Sequence, residues 1–410
     1  MRVLKLTEYR TTAAIPLTAS ERDELRRLVP SLTITPSTGR DDAYDLAPAA
    51  TVGIVRVGDL QVELQPRLPV KQVLFLVSYA LDPRNWHDYT TAMAPDAHLV
   101  EALVPTFAHH VRKALRRGLL HGYRHVNDTL TTIRGRIRFA DQLRARPGRH
   151  LPIEVAFDEF TPDITENRLL LAALERLLRV PLRHEETRRA LFRLREQFAT
   201  VTHVPYASSD VPKPSWTRLN QHYQPAVMIA RLVLQGSVLE VTTGPVTGTG
   251  VLFDMAKVFE DFVVTALREA LGADAQTFPQ GAARRRVYLD DENVIALYPD
   301  LSWWRAGRCV FVGDCKYKRA AISGVPNADL YQLLAYTTSL NLREGLLVYA
   351  AGEYPPRTHT VSHAGKRLHV LTCDLAGTPD DVLAQIDSVA EEIRREADLS
   401  TSATLIGTSP

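Results

Sequence analysis

The chain has 410 residues, 45% of them hydrophobic and 23% charged, with a formal net charge of +2. That length allows two or three domains and a sizeable core, so folding needs no disulfide or metal staple. The near-neutral charge excludes a globally basic nucleic-acid binder, and any DNA contact must come from local basic patches.

Residues 1–70 read as β-rich. VGIVRVGDLQVELQPRLP forms two alternating strands around Gly58-Asp59, a hairpin signal. The opening MRVLKLTEYRTTAA lacks a long apolar core and reads as a first strand, not a signal peptide. Residues 71–125 read as helical: Val100, Leu103, Val104, Phe107, Val111, Ala114 and Leu115 recur at three- and four-residue spacing. Arg112, Lys113, Arg116 and Arg117 form the solvated face of that helix. Residues 126–165 return to strand and loop, and 166–200 predict two amphipathic helices broken at Pro181. A further helix is expected at about 218–235. The stretch Thr242–Gly250, TTGPVTGTG, predicts a flexible linker and a domain boundary near 245. It lacks the GK[ST] ending of a phosphate-binding loop, and no other segment supplies one, so this chain is expected to bind no nucleotide itself. His109-His110 and His184 sit on expected helices without identifiable partners.

Cys309, Cys315 and Cys373 have no CxxC spacing, which argues against a cysteine zinc site and fits a reducing cytoplasm. Apolar runs such as Val73–Val77 fall far short of the ~20 residues that a membrane-spanning helix needs. A cytoplasmic protein without a membrane partner is expected. The tail 398–410 is small and polar and is expected to be disordered.

The chemistry is concentrated in the second half. A helix capped by Asp254 carries the stripe Met255, Val258, Phe259, Phe262, Ala266 and Leu267, with Glu260 at its edge. Two β-prone runs follow, VIALYPDLSWW and CVFVGDCKYK, joined by RAGR with Ala306-Gly307 at the turn. Alternation puts Val310, Val312, Asp314, Lys316 and Lys318 on one face. Counting back through the turn sets Asp300 opposite residue 313 or 314. Two converging carboxylates suit Mg²⁺, with Mn²⁺ as a possible substitute, and a lysine two residues on can orient water or stabilise charge on a phosphate. The metal ligands are expected to be Asp300, Asp314 and Glu260. A helix from Asn327 then places Gln332 and Tyr336 on one face, and these complete the candidate catalytic set. Arg284, Arg285, Arg286 and Lys318 are candidates for a DNA backbone contact. The bland alternative for each of these groups is a solvated surface charge.

In order, LFDMAKVFEDFV, YPDLSWW, VGDCKYK and DLYQLLAY resemble the McrC family, the nuclease subunits of McrBC-type modification-dependent restriction systems. RGRIRFADQ, EFTPDITENRLLLAALERLL and the hairpin VGIVRVGDLQVELQPRL carry the resemblance through the front half, so that it spans about residues 45–375. It implies an α/β (α+β) architecture: residues 1–245 a β-rich and helical domain that docks to and activates a partner, and residues 246–397 a PD-(D/E)XK nuclease domain with Asp300, Asp314 and Lys316 at its centre. The QxxxY of Gln332 and Tyr336 resembles that of RecB-like nucleases. The implied partners are an McrB-like AAA+ GTPase hexamer and double-stranded DNA containing modified cytosine. Asp314 stands where the superfamily often has Glu. Two other readings fit less of the sequence: an activator whose nuclease fold is only structural, and a stand-alone repair nuclease.

Overall fold

The computed structural model describes residues 2–406 except 41, 82, 84–85, 87–98, 181–184, 208–209, 243–246, 281–284, 321–323 and 353–355. Pro181, His184 and Arg284 therefore lie outside the described residues. In chain order, the first stretch contains β1 (Arg2–Thr7), β2 (Thr12–Pro16), α1 (Ala19–Leu28), β3 (Leu32–Pro36), β4 (Ala43–Pro48), β5 (Thr51–Val57), β6 (Leu60–Gln65) and α2 (Val70–Leu81). The second contains α3 (Leu99–Ala114), β7 (Gly122–Leu130), β8 (Arg136–Ile137), α4 (Phe139–Ala145), β9 (Ile153–Thr161), α5 (Thr165–Leu178), α6 (Glu185–Glu196), α7 (Gln224–Gln235) and β10 (Ser237–Thr242). The third contains β11 (Thr247–Asp254), α8 (Met255–Leu271), β12 (Val287–Tyr288), β13 (Ala296–Leu297), β14 (Leu301–Arg305), β15 (Arg308–Ala320), α9 (Asn327–Ser339), β16 (Glu344–Gly352), β17 (Arg357–Thr360), β18 (Arg367–Thr372) and α10 (Pro379–Ile406). The chain is mixed α/β, as expected.

It folds as two compact units, one made of 1–99, 242–248 and 252–410, the other of 100–241 and 249–251. This corrects the expected division near 245. The glycine-rich stretch is not a linker along its whole length: from Thr247 it becomes β11, a strand of the sheet β1-β6-β5-β11-β10. Small Thr and Gly residues are compatible with extended backbone, and the apolar VLF that follows commits the segment to the sheet. The first 99 residues and the last 159 share one core. The Met255 amide donates to the Ala50 carbonyl (2.8 Å), the Thr265 hydroxyl donates to the Ala80 carbonyl (3.3 Å), and Phe75 packs edge-on against Phe262.

In that unit the expected hairpin is β5–β6, with Val57 paired to Leu60 and Gly58 at φ +55°. Helix α1 was not expected, although Thr18 and Glu21 form a capping box that marks its start. The sheet β14-β15-β16-β18-β17 carries the candidate site. Helix α9 packs on one of its faces, Leu333 and Tyr336 meeting Val312, Leu347 and Val370.

The other unit pairs β7 and β8 with β9 in an antiparallel sheet. Helix α3 buries Leu103, Val104, Phe107, Val111 and Ala114, as its stripe predicts; Leu115 just beyond it is also buried, and Arg112, Lys113, Arg116 and Arg117 are exposed. The helical reading of 71–125 ran too far: α3 ends at Ala114 and β7 begins at Gly122. The expected tail is also corrected, because α10 continues through Ile406; nothing between Asp398 and Ile406 breaks a helix, and Gly407 is the first residue that would.

Candidate active site

The site begins with the turn between β14 and β15. Ala306 and Gly307 both have positive φ, +47° and +81°, as a two-residue type I′ hairpin requires. Next to the turn, Arg305 pairs with Arg308 and Trp304 with Cys309. A bulge between Trp303 and Trp304 then shifts the register by one, so that Trp303 pairs with Phe311 and Leu301 with Gly313. Without the bulge Asp300 would face residue 313; with it Asp300 stands opposite Asp314. This resolves the two registers that the sequence left open. Gly313 is required by crowding: a Cβ there would lie 2.7 Å from the Leu346 carbonyl oxygen on β16. The absence of that atom lets β15 approach β16 closely just before Asp314.

Asp300 and Asp314 meet. The Cys315 amide donates to Asp300 Oδ2 (3.1 Å). Asp314 is 2% exposed and is ion-paired to Lys316. Burial pushes the Asp314 carboxyl above its ordinary range, and the attraction of Lys316 and hydrogen bonding with Asp300 only partly oppose this. Burial alone would depress Lys316, but the Asp314 carboxylate outweighs it and the ammonium is held above its usual range. Lys316 is positioned as a hydrogen-bond donor. Its Nζ donates to Gln332 Oε1 (2.8 Å), Gln332 Nε2 donates to the Tyr336 hydroxyl (2.8 Å), and that hydroxyl donates to the Tyr298 carbonyl (3.3 Å). Each member of this chain fixes the rotamer of the one before it.

Glu260 lies apart from this set. It is on α8, beside Lys257, whose ammonium is 3.1 Å from Glu260 Oε1 and 2.5 Å from Asp261 Oδ1. Helix α8 meets β15 through Phe259 and Tyr317 (ring centroids 6.0 Å apart), and Tyr317 points to the face opposite Lys316. Glu260 still bears electrostatically on Cys315, together with Asp300 and Asp314. Among the described residues, however, the three carboxylates do not bring ligand atoms within 4.8 Å of one another. Some of the basic candidates are engaged within the unit. Lys318 pairs with Asp329 (2.7 Å), Arg285 stacks 4.5 Å over the Trp304 ring, and Arg286 is exposed.

Two supports were not visible in the sequence. Asp329, 7% exposed, joins Lys318 to the Tyr349 hydroxyl; its place in the first turn of a helix after a proline was the available signal. Glu8, fully buried, accepts a hydrogen bond from the Tyr317 hydroxyl (2.7 Å) and one from the Arg67 amide (2.8 Å). Nothing local in the sequence pairs residues 309 positions apart.

The donor set fits a hard divalent cation. Two adjacent carboxylates, one buried and incompletely neutralised, match an ion that takes few protein ligands and keeps its waters.

The fold is mixed α/β, and two acidic residues and a lysine converge on the hairpin at one edge of its five-stranded sheet. The family described as McrBC 5-methylcytosine restriction system component matches residues 46–350. The chain belongs to that family. No curated protein matches it. Among solved structures it is similar to the one described as a half-complex from the tetradecameric assembly of Thermococcus gammatolerans McrB AAA+ hexamers with bound McrC. The identity there is 16% and the TM-score 0.53, over 94% of this chain and 100% of the other, and this supports the fold. A Thermococcus gammatolerans McrBC complex matches at 20% identity and a TM-score of 0.41, over 66% of this chain and 88% of the other. No described helix is long and apolar enough to cross a membrane.

Proposed function

We propose that the chain is the DNA-cutting subunit of a modification-dependent restriction complex, a PD-(D/E)XK endonuclease that works with an McrB-like AAA+ GTPase and stimulates its GTP hydrolysis. The observation that carries this reading is the meeting of Asp300, Asp314 and Lys316 at one strand edge, with Gln332 and Tyr336 holding the lysine. Membership of the McrBC family supports it, as does the likeness in fold to a chain seen with McrB hexamers.

Asp300 and Asp314 would hold Mg²⁺, with Glu260 contributing through water. Mg²⁺, when bound, supplies Lewis acidity at the phosphate and lowers the pKa of nearby water. Lys316, ion-paired to Asp314, donates hydrogen bonds to the attacking water or to a phosphate oxygen as negative charge develops there. Gln332 and Tyr336 hold the ammonium in place, which saves the entropy of ordering a long side chain during the reaction. Water oxygen forms a bond to phosphorus as its proton passes to solvent, one phosphodiester P–O bond breaks, and the leaving oxygen takes up a proton from solvent.

The test mixes the full chain with its AAA+ partner, GTP, Mg²⁺ and plasmid with or without methylated cytosine. Cleavage of the methylated plasmid is expected, and it should require all components and be lost in Asp300→Asn. Cleavage by Asp300→Asn at the wild-type rate would overturn the assignment. An unchanged GTPase rate on adding the chain would overturn the activator role.

A further inference from the structure

Away from the candidate active site, β16, β18 and α10 each contribute one side chain to a second cluster. His369 Nε2 lies 3.0 Å from Glu344 Oε2 and 3.4 Å from Glu396 Oε1, and all three side chains are 13–14% exposed. Among the described residues this is the trio of His, Cys, Asp or Glu whose ligand atoms lie within 4.8 Å of one another. We propose that Glu344, His369 and Glu396 form a second metal site, which takes a divalent transition ion of the Zn²⁺ kind and braces α10 against the sheet.

Two points carry the assignment. First, a tetrahedral ion with bonds of about 2.0–2.1 Å sets its ligands roughly 3.3 Å apart, and the two distances at Nε2 bracket that value. Second, the far side of the ring is already supported. The Thr358 hydroxyl on β17 is 3.0 Å from His369 Nδ1, the kind of outer hydrogen bond that orients a ligating imidazole.

The surrounding charges are compatible with an ion. Arg367 pairs with Glu344 through Oε1, which leaves Oε2 turned to the histidine. Glu392 Oε1 lies 4.0 Å from Nδ1 and adds negative charge. An imidazole nitrogen with two carboxylates prefers Zn²⁺, Co²⁺ or Mn²⁺ to Mg²⁺. The site is therefore distinct in chemistry as well as in position from the paired aspartates.

The experiment uses the untagged full chain carrying Asp314→Asn, which weakens the first site without touching the second. The protein is stripped with chelator and titrated with Co²⁺, reading visible d–d absorption and metal content after gel filtration; the melting temperature is then followed with Zn²⁺. One bound ion per chain and a rise in melting temperature with Zn²⁺ are expected. Adding His369→Ala or Glu396→Gln should weaken Co²⁺ binding by on the order of 100-fold and abolish the Zn²⁺ shift. Glu396→Gln preserves shape and decides the matter if His369→Ala does not fold. Unchanged Co²⁺ spectra and stoichiometry in folded Glu396→Gln, or no retained ion in folded Asp314→Asn, overturns the proposal. Neither result depends on whether the chain cuts DNA.

Discussion

Asp314→Asn separates what the carboxylate does for chemistry from what it costs the fold. The side chain is 2% exposed and its burial disfavours the charged form, so the isosteric amide removes a desolvation penalty. The same change takes from Lys316 its ion pair. Stranding a buried partner can cost about 3–5 kcal/mol, but the Lys316 side chain is 19% exposed and keeps its bond to Gln332. The two effects nearly offset, and a net change within about 1 kcal/mol is expected, which is roughly 2–4 °C in melting temperature for a unit of this size. Cleavage should behave differently. Loss of a charged group at the reacting centre typically costs about 10²–10³-fold, or ~2.7–4 kcal/mol. Plasmid linearisation with the AAA+ partner, GTP and Mg²⁺ measures the second quantity, and thermal unfolding of the same preparation measures the first. A folded variant that cuts within about threefold of wild type refutes the site. A fall of more than about 10 °C refutes the electrostatic balance even if cleavage is lost.

Glu260→Gln should reduce cleavage by only about 10-fold, the usual effect of an outer partner; in the same plasmid assay, a loss as deep as that of Asp314→Asn would place Glu260 among the direct ligands. Asp163 accepts two bonds from Arg168 (both 2.7 Å), one from Arg124 (2.5 Å) and two from Thr202 (both 2.9 Å), so Asp163→Asn should destabilise its unit by about 3–5 kcal/mol in urea unfolding at pH 7. Arg168 holds the Asp163 carboxyl well below the usual carboxylate range; its contribution is complete above that range and is lost as pH falls further, because the unfolded state binds the proton first. Wild type should therefore lose stability below about pH 4 more steeply than the variant, and parallel acid limbs would sink this account. Residues 246–397 expressed alone should fail to give a cooperative melt, since Glu8, Ala50 and Phe75 are partners of Tyr317, Met255 and Phe262; a sharp, reversible transition from that fragment would show that the first 99 residues are dispensable to it.

What the sequence revealed follows from how far apart the partners lie along the chain. Asp300, Asp314 and Lys316 belong to one hairpin, where alternation and a two-residue turn determine which side chains face each other, and Gln332 and Tyr336 follow on the next helix. These could be placed by counting, to within the single residue that the bulge at Trp303 and Trp304 decides. The Asp254 cap and the α3 stripe are likewise local and were legible. The relations that escaped are all distant: Glu8 with Tyr317, β11 in the sheet of β5, and Glu344, His369 and Glu396, which meet only once β16, β18 and α10 are packed. The error at Thr242–Gly250 has the same origin. Glycine and threonine signal a loop when read locally, whereas strand pairing satisfies backbone donors and acceptors whatever the side chains, so a neighbouring strand can recruit such a segment. The consequence reaches function. The strand bearing Asp314 and Lys316 is held from behind by Tyr317, and Tyr317 is held by Glu8 and stacked near Arg67. The amino-terminal strands therefore support the candidate active site directly, and a change in them can reach Lys316 through one hydrogen bond and one covalent neighbour.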